Sequence, residues 1–187
     1  MLRNTLAINK NIMFIDCETT GISCKENTAI EWGMVLYDPI LRGTICHHSF
    51  LLPCSRNPAF SANRIHSALT NTLHETVIDC QIELFEYLIK SADLIISHNV
   101  KFDKAFLVKD MGEVDIPFLC SMEEIEWSKY NKTKWPKLSE LASLYEIHNS
   151  SEHRALSDAI TLANIFHSEL EKCGQINIKG RDCLIWP

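Results

Sequence analysis

An α/β fold, with a mixed five-stranded sheet flanked by helices, is what the order of apolar periods in this chain predicts. Three β-prone runs joined by short turn signals come first. Helical and strand periods then alternate, and helices close the pattern. Ile12-Met13-Phe14-Ile15 reads as a buried strand. Ala29 to Tyr37 and Thr44 to Leu52 are the next two, separated by the turn residues Asp38-Pro39 and Gly43. Short connections of this kind suggest an antiparallel meander.

Pro53 to Asn71 is a long irregular connection rich in Pro, Ser and Asn, the kind of loop that is often functional. Ile82, Phe85, Leu88 and Ile89 recur at helical spacing within Asp79 to Ser91, with Asp79 as the expected N-cap. Leu94-Ile95-Ile96 is a short buried strand, and the segment after it opens a helix to about Met111 that Gly112 stops. Ile116 to Met122 predicts a strand and Met122 to Tyr130 a short helix. Lys137 to Glu146 is helical, as is the stretch from about His153 to Lys172, ended by Gly174. The expectation is one domain over residues 1–187, with a core of about 11–172 and a short tail.

A formal charge of −6 argues against a protein that coats nucleic acid by bulk electrostatics, while leaving room for an enzyme that grips a few nucleotides. The eight cysteines are scattered, with no C-x-x-C pair and no zinc-ligand spacing. Met1 to Lys10 lacks the apolar core of a signal peptide, and no run approaches a membrane span. Free thiols and a cytoplasmic location are therefore expected. His47-His48 reads as strand or loop surface.

Asp16 and Glu18 stand two residues apart at the end of the first strand, so the strand's period of two projects both carboxylates from one face. Two such acids repel, and a bound divalent cation relieves the repulsion. A solvated strand end followed by a turn is the plain alternative. Glu31, at the start of the second strand, is either a supporting acid or another solvated strand end. Asp103 falls at a strand-to-helix junction, where α/β sheets place ligands. Asp158 falls in the first turns of the last helix, on the flank of its apolar stripe, and His153 precedes it by five residues. Taken singly, each is read by default as a surface or capping residue. Lys129 to Lys137, with Tyr130 and Trp135 interleaved, is either a solvated loop or a patch for phosphates and bases.

Together, Asp16, Glu18, His98-Asn99-x-x-Phe102-Asp103 and His153-Arg154-Ala155-Leu156-Ser157-Asp158 resemble the DEDD exonuclease superfamily, in its histidine-bearing branch. The likeness runs from about Ile12 to Glu171 with the motifs in family order, and Trp135-Pro136-x-Leu138-x-x-Leu141-Ala142 also looks like a family segment. The branch includes exonuclease X, the proofreading subunit of bacterial DNA polymerase III, ribonuclease T and oligoribonuclease. The resemblance implies a ribonuclease H-like fold and hydrolysis with two divalent cations, Mg²⁺ or Mn²⁺. It implies that Asp16, Glu18, Asp103 and Asp158 bind them, and that His153 is the general base. By the same likeness Cys17 (through its backbone), Thr19, Thr20, His66, Asn99 and Phe102 hold the terminal nucleotide. Ser67-Ala68-Leu69-Thr70, after His66, is one position longer than the family pattern. Glu152, beside His153, is expected to raise that histidine's pKa.

The activity so implied is 3′→5′ exonucleolytic cleavage of single-stranded or frayed DNA. RNA ends are the alternative substrate, and a non-catalytic module that binds nucleic-acid ends is a further one. No obligate protein partner and no membrane are expected.

Overall fold

Side chains of the first strands point alternately to the two faces of the sheet, and both faces are buried under helices. The structure, a computed structural model, describes residues 5–7, 10–53, 75–149, 153–180 and 183–185. After a short strand β1 (Thr5–Ala7), β2 (Ile12–Thr19), β3 (Ala29–Asp38) and β4 (Gly43–Leu51) form the antiparallel meander. Helix α1 (Glu75–Ile89) leads to β5 (Leu94–Ser97), which pairs parallel with β2. Helix α2 (Val100–Met111) then crosses to β6 (Phe118–Cys120), parallel to β5. The main sheet therefore has the order β4-β3-β2-β5-β6, five strands of mixed sense, as predicted.

On one face Ile12, Phe14, Val35 and Tyr37 pack against the helices α3 (Leu138–Tyr145) and α4 (Ala155–Cys173). On the other, Met13, Ile15, Cys17, Trp32 and Met34 meet Phe85 and Ile89 of α1 and Phe106 and Leu107 of α2. Asp16, Glu18, Glu31 and Gly33 continue the α4 face of β2 and β3, because side chains alternate. Asp16 pairs across the strands with Gly33, and Glu18 with Glu31.

Several boundaries differ from the sequence expectation. Helix α1 begins at Glu75, so Asp79 is an exposed residue within it rather than its N-cap. Met122 to Tyr130 is not a helix: turns surround a two-residue strand, β7 (Ile125–Glu126). Trp127 explains this, since its indole is buried and donates to the Ser121 carbonyl, holding the segment against the core. Helix α4 starts at Ala155, two residues after His153. Beyond it, β8 (Gln175–Ile178) and β9 (Cys183–Ile185) join β1 and β7 in a second sheet of order β1-β9-β8-β7. Ile176, Ile178 and Leu184 belong to the same core as α4. His47 is exposed on β4, no disulfide joins the described cysteines, and no described helix is long and apolar enough to cross a membrane.

Gly33 is where the last helix touches the sheet. A Cβ built there would lie 2.2 Å from the backbone carbon of Ala155 and 2.2 Å from the nitrogen of Leu156. Only hydrogen fits, and the N-terminus of α4 rests on the strand beside Asp16. Gly33→Ala is expected to destabilise the protein by about 1–3 kcal/mol or more, since backbone on both sides has to shift. Chemical denaturation measures this, and an unchanged midpoint would show that the contact is slack.

Candidate active site

Three local structures converge at the ends of β2 and β5. Asp16 and Glu18 leave β2 on its α4 face. Asn99 caps α2, and Asp103 in its first turn is 2% exposed and accepts a 3.2 Å hydrogen bond from the Cys17 amide. Asp158 stands in the first turn of α4 and accepts from Asn149 Nδ2 at 2.6 Å. Two of the four acids thus occupy helix starts, where the backbone dipole favours negative charge. His153 comes from the turn before α4, with a left-handed φ of 63° that a non-glycine residue adopts only under constraint. Ligand atoms of Glu18, His153 and Asp158 lie within 4.8 Å of one another.

Electrostatics at this cluster are unfavourable without a counterion. Burial, then repulsion from Asp103, Asp158 and Glu18, holds the Asp16 carboxyl well above the usual range. Burial followed by the charges of Asp158, Glu31 and Asp103 raises Glu18 to about 7. Asp103 is raised to about 6 by burial, with the Cys17 amide acting in the opposite direction. Carboxylate oxygens at this density fit a hard divalent cation, which would favour their charged forms.

One countercharge is built in. Arg154, 38% exposed, lays its guanidinium on Glu31, 1% exposed, through contacts of 3.0–3.1 Å from Nε and Nη2. This resolves Glu31: it is neither a solvated strand end nor a bare acid, but one half of a paired charge. The pair ties the residue after His153 to β3, and so fixes the histidine's turn over the acids. It also offsets part of the charge at Glu18. Asn149 acts similarly on Asp158, bonding it while accepting from Ser157 Oγ at 2.6 Å.

Other sequence-assigned residues are placed as follows. The Cys17 side chain is buried in the core and its amide is committed to Asp103. Thr19 Oγ1 donates to the Gly21 carbonyl at 2.7 Å, and Thr20 Oγ1 accepts from the Thr28 amide at 3.1 Å, so both hydroxyls close the β2–β3 turn. Asn99 is exposed beside Asp103, while Phe102 is half-buried and packs on Phe106 at 5.0 Å. His66 and Glu152 lie outside the described residues. Sequence reasoning gave no role to Arg154 or Asn149. The adjacency of Arg154 to His153 was the available signal for the first, and nothing local marks the second.

Removing the counterion exposes the repulsion. Glu18 and Asp103 have folded pKa values of about 7 and 6 against ordinary values of 4.5 and 3.8. The folded state therefore binds more protons, and their contribution is fully present below about pH 4. It is lost as pH rises through 6 to 7. In EDTA the melting temperature should fall across that window, and Mg²⁺ or Mn²⁺ should raise it more at pH 8 than at pH 5; a pH-independent metal shift would contradict the site. Arg154→Ala should cost about 3 kcal/mol by removing the countercharge of the buried Glu31 carboxylate, and Glu31→Gln in that background should recover part of the loss, both read from denaturant midpoints.

Residues 13–166 match the RNase_T family, described as exonuclease. A PolC-type DNA polymerase III from Caldanaerobacter subterraneus subsp. tengcongensis is 27% identical over 182 residues, covering 93% of this chain. The chain spans 12% of that polymerase's length. Among solved structures, exonuclease X in complex with 5′-overhanging duplex DNA superposes with a TM-score of 0.63 at 20% identity, covering 87% of this chain and 93% of the other. Exonuclease I gives a TM-score of 0.68 at 14% identity, over 87% of this chain and 41% of its own. S. pombe Pop2p in its Mg²⁺- and Mn²⁺-bound form gives 0.60 at 16%, over 86% and 83%. These likenesses agree with the strand order in giving a ribonuclease H-like fold. The chain belongs to the exonuclease family, as a DEDD-type 3′–5′ exonuclease domain.

Proposed function

We propose that this chain removes nucleotides one at a time from the 3′ end of single-stranded or frayed DNA, releasing nucleoside 5′-monophosphates with Mg²⁺ or Mn²⁺. The observation that carries the reading is the meeting of His153 with Glu18 and Asp158, ligand atoms within 4.8 Å, beside the buried Asp103. An exposed imidazole at a cluster of acids is the arrangement that proton removal from an attacking water requires. DNA is favoured because the similar exonuclease X was solved on 5′-overhanging duplex DNA, and the similar E. coli exonuclease I on a dA16 oligonucleotide.

Asp16, Glu18 and Asp158 would hold one divalent cation, and Asp103 a second. Bound there, the cations supply charge stabilisation at the attacking and leaving oxygens. His153 takes the water's proton on an imidazole nitrogen as the water attacks phosphorus. The P–O3′ bond breaks and O3′ takes a proton from solvent, leaving a 3′-hydroxyl on the shortened strand and a 5′-phosphate on the released nucleotide. Asn99 and Phe102 line the terminal nucleotide's pocket, with Thr19 and Thr20 at its rim. Cys17 orients Asp103 through its amide.

Matched 5′-labelled single-stranded DNA and RNA, incubated with Mg²⁺, Mn²⁺ or EDTA, test the reading. A metal-dependent ladder shortening from the 3′ end is expected, faster on DNA and abolished by Asp16→Ala. His153→Ala should lower the rate by about 10²–10⁴ while calorimetry shows metal binding retained. Loss of metal binding in that variant would make His153 a ligand rather than the base. Faster RNA cleavage would move the substrate class, and intact substrate with binding retained would overturn catalysis.

A further inference from the structure

A cleft of about 190 Å³, outside the acid cluster, lies between the loop after β7 and the second sheet. Trp135, Tyr130, Lys132, Lys134, Lys179 and Met122 are among its walls. The loop's end is fastened to the edge of the hydrolytic site. His98 Nε2 bonds the Pro136 carbonyl at 3.0 Å, and Nδ1 meets Ser121 Oγ at 2.8 Å. His98 directly precedes Asn99, the cap of α2. From the first turn of that helix Lys101, ion-paired with Glu123 at 2.9 Å, reaches back over the Trp135 ring, 6.0 Å from its centroid. Trp135 is therefore held next to the turn that carries Phe102 and Asp103.

Its indole is 56% exposed, a large apolar face left in water. Lys132 and Lys134 sit beside it and share a single carboxylate, Glu140, at 3.0 and 3.1 Å. Lys132, Lys134 and Lys179 set against Glu140 and Glu126 leave net positive charge at the cleft, in a chain of formal charge −6. An exposed aromatic face flanked by surplus cations fits a polyanion with flat apolar groups. An acidic peptide would satisfy the lysines and leave the indole uncovered; a single nucleic-acid strand satisfies both.

We propose that Trp135, with Lys101, Lys132 and Lys134, forms a stacking subsite for a base of the single strand two or more positions 5′ of the nucleotide being removed. This rests on the exonuclease reading, which puts the 3′-terminal nucleotide among the acids and leaves only 5′ nucleotides to extend outward. The base lies on the indole and the adjoining phosphate meets the lysines. Stacking tolerates any base, so the subsite adds affinity without sequence preference. A dinucleotide is too short to gain from it.

Fluorescence anisotropy in EDTA, with 5′-labelled oligo(dT) from two to twelve nucleotides, reads binding without turnover. Dinucleotide hydrolysis in Mn²⁺ is measured alongside. Wild-type affinity should rise in a step as the oligomer lengthens. Trp135→Ala should lose that step, binding the 12-mer about tenfold more weakly, and Trp135→Phe should recover most of it. Dinucleotide turnover should be unchanged in both variants. Converting Lys132 and Lys134 together to Ala should flatten the dependence of log Kd on log salt by about 0.7 for each phosphate that the lysines no longer neutralise. Equal affinities of wild type and Trp135→Ala at every length, with the dinucleotide still cleaved, would overturn the subsite alone. No cleavage by wild type, with the affinity step absent in Trp135→Ala, would overturn the exonuclease reading and support the subsite as a strand-binding site.

Discussion

Repulsion among Asp16, Glu18, Asp103 and Asp158 is the term to which the surrounding structure is fitted. Each carboxylate lies where water cannot fully screen the others, and the folded chain tolerates this only because opposing contributions are arranged around it. Asp103 and Asp158 sit in the first turns of α2 and α4, in the favourable field of the helix starts. The Cys17 amide and the Asn149 side chain donate directly to them. Arg154 cancels Glu31, which would otherwise face Glu18 across the β2–β3 ladder as a second buried negative charge. What remains uncancelled is negative charge that a divalent cation would offset.

Holding these groups together is a packing problem, and Gly33 solves it. Without a side chain at that position, the backbone of α4 approaches β3 closely enough for Asp158 to share the end of β2 with Asp16 and Glu18. The Glu31–Arg154 pair then pins the same turn from the neighbouring strand position, two residues along β3. His153 stands directly before these attachments, with its backbone in the left-handed region. The geometry of the acid cluster and the docking of the helix are therefore one constraint.

The Trp135 cleft depends on a similar small set of attachments. Its loop is anchored by His98, whose imidazole burial has pushed down to about 4. A neutral ring lets Nε2–H donate to the Pro136 carbonyl while Nδ1 accepts from Ser121. On the other side Lys179 bonds the Glu124 carbonyl through its amide, so the second sheet supplies the far wall. Strands contributed by the chain's last described residues thus help shape a surface beside the active site.

Short-range pattern carried much of this. The period of two put Asp16 and Glu18 on one face, the three early runs gave the meander, and Asp103 and Asp158 were legible as acids at helix starts. Their gathering was legible only through motif resemblance, because each taken singly has an ordinary surface explanation. Met122 to Tyr130 misled, since its apolar residues serve a tertiary contact through the Trp127 indole instead of a helical face. Glu31 was ambiguous because its partner lies 123 residues away, and Asn149 carried no local sign of its bond to Asp158. By itself, then, the sequence determined which residues have the right chemistry and which face of each element they occupy, since both depend on side-chain identity and backbone period. Only the tertiary structure decided how near they come, which charges are paired and where the exposed indole lies. Those depend on the close approach at Gly33, on burial, and on contacts between segments that no local period encodes.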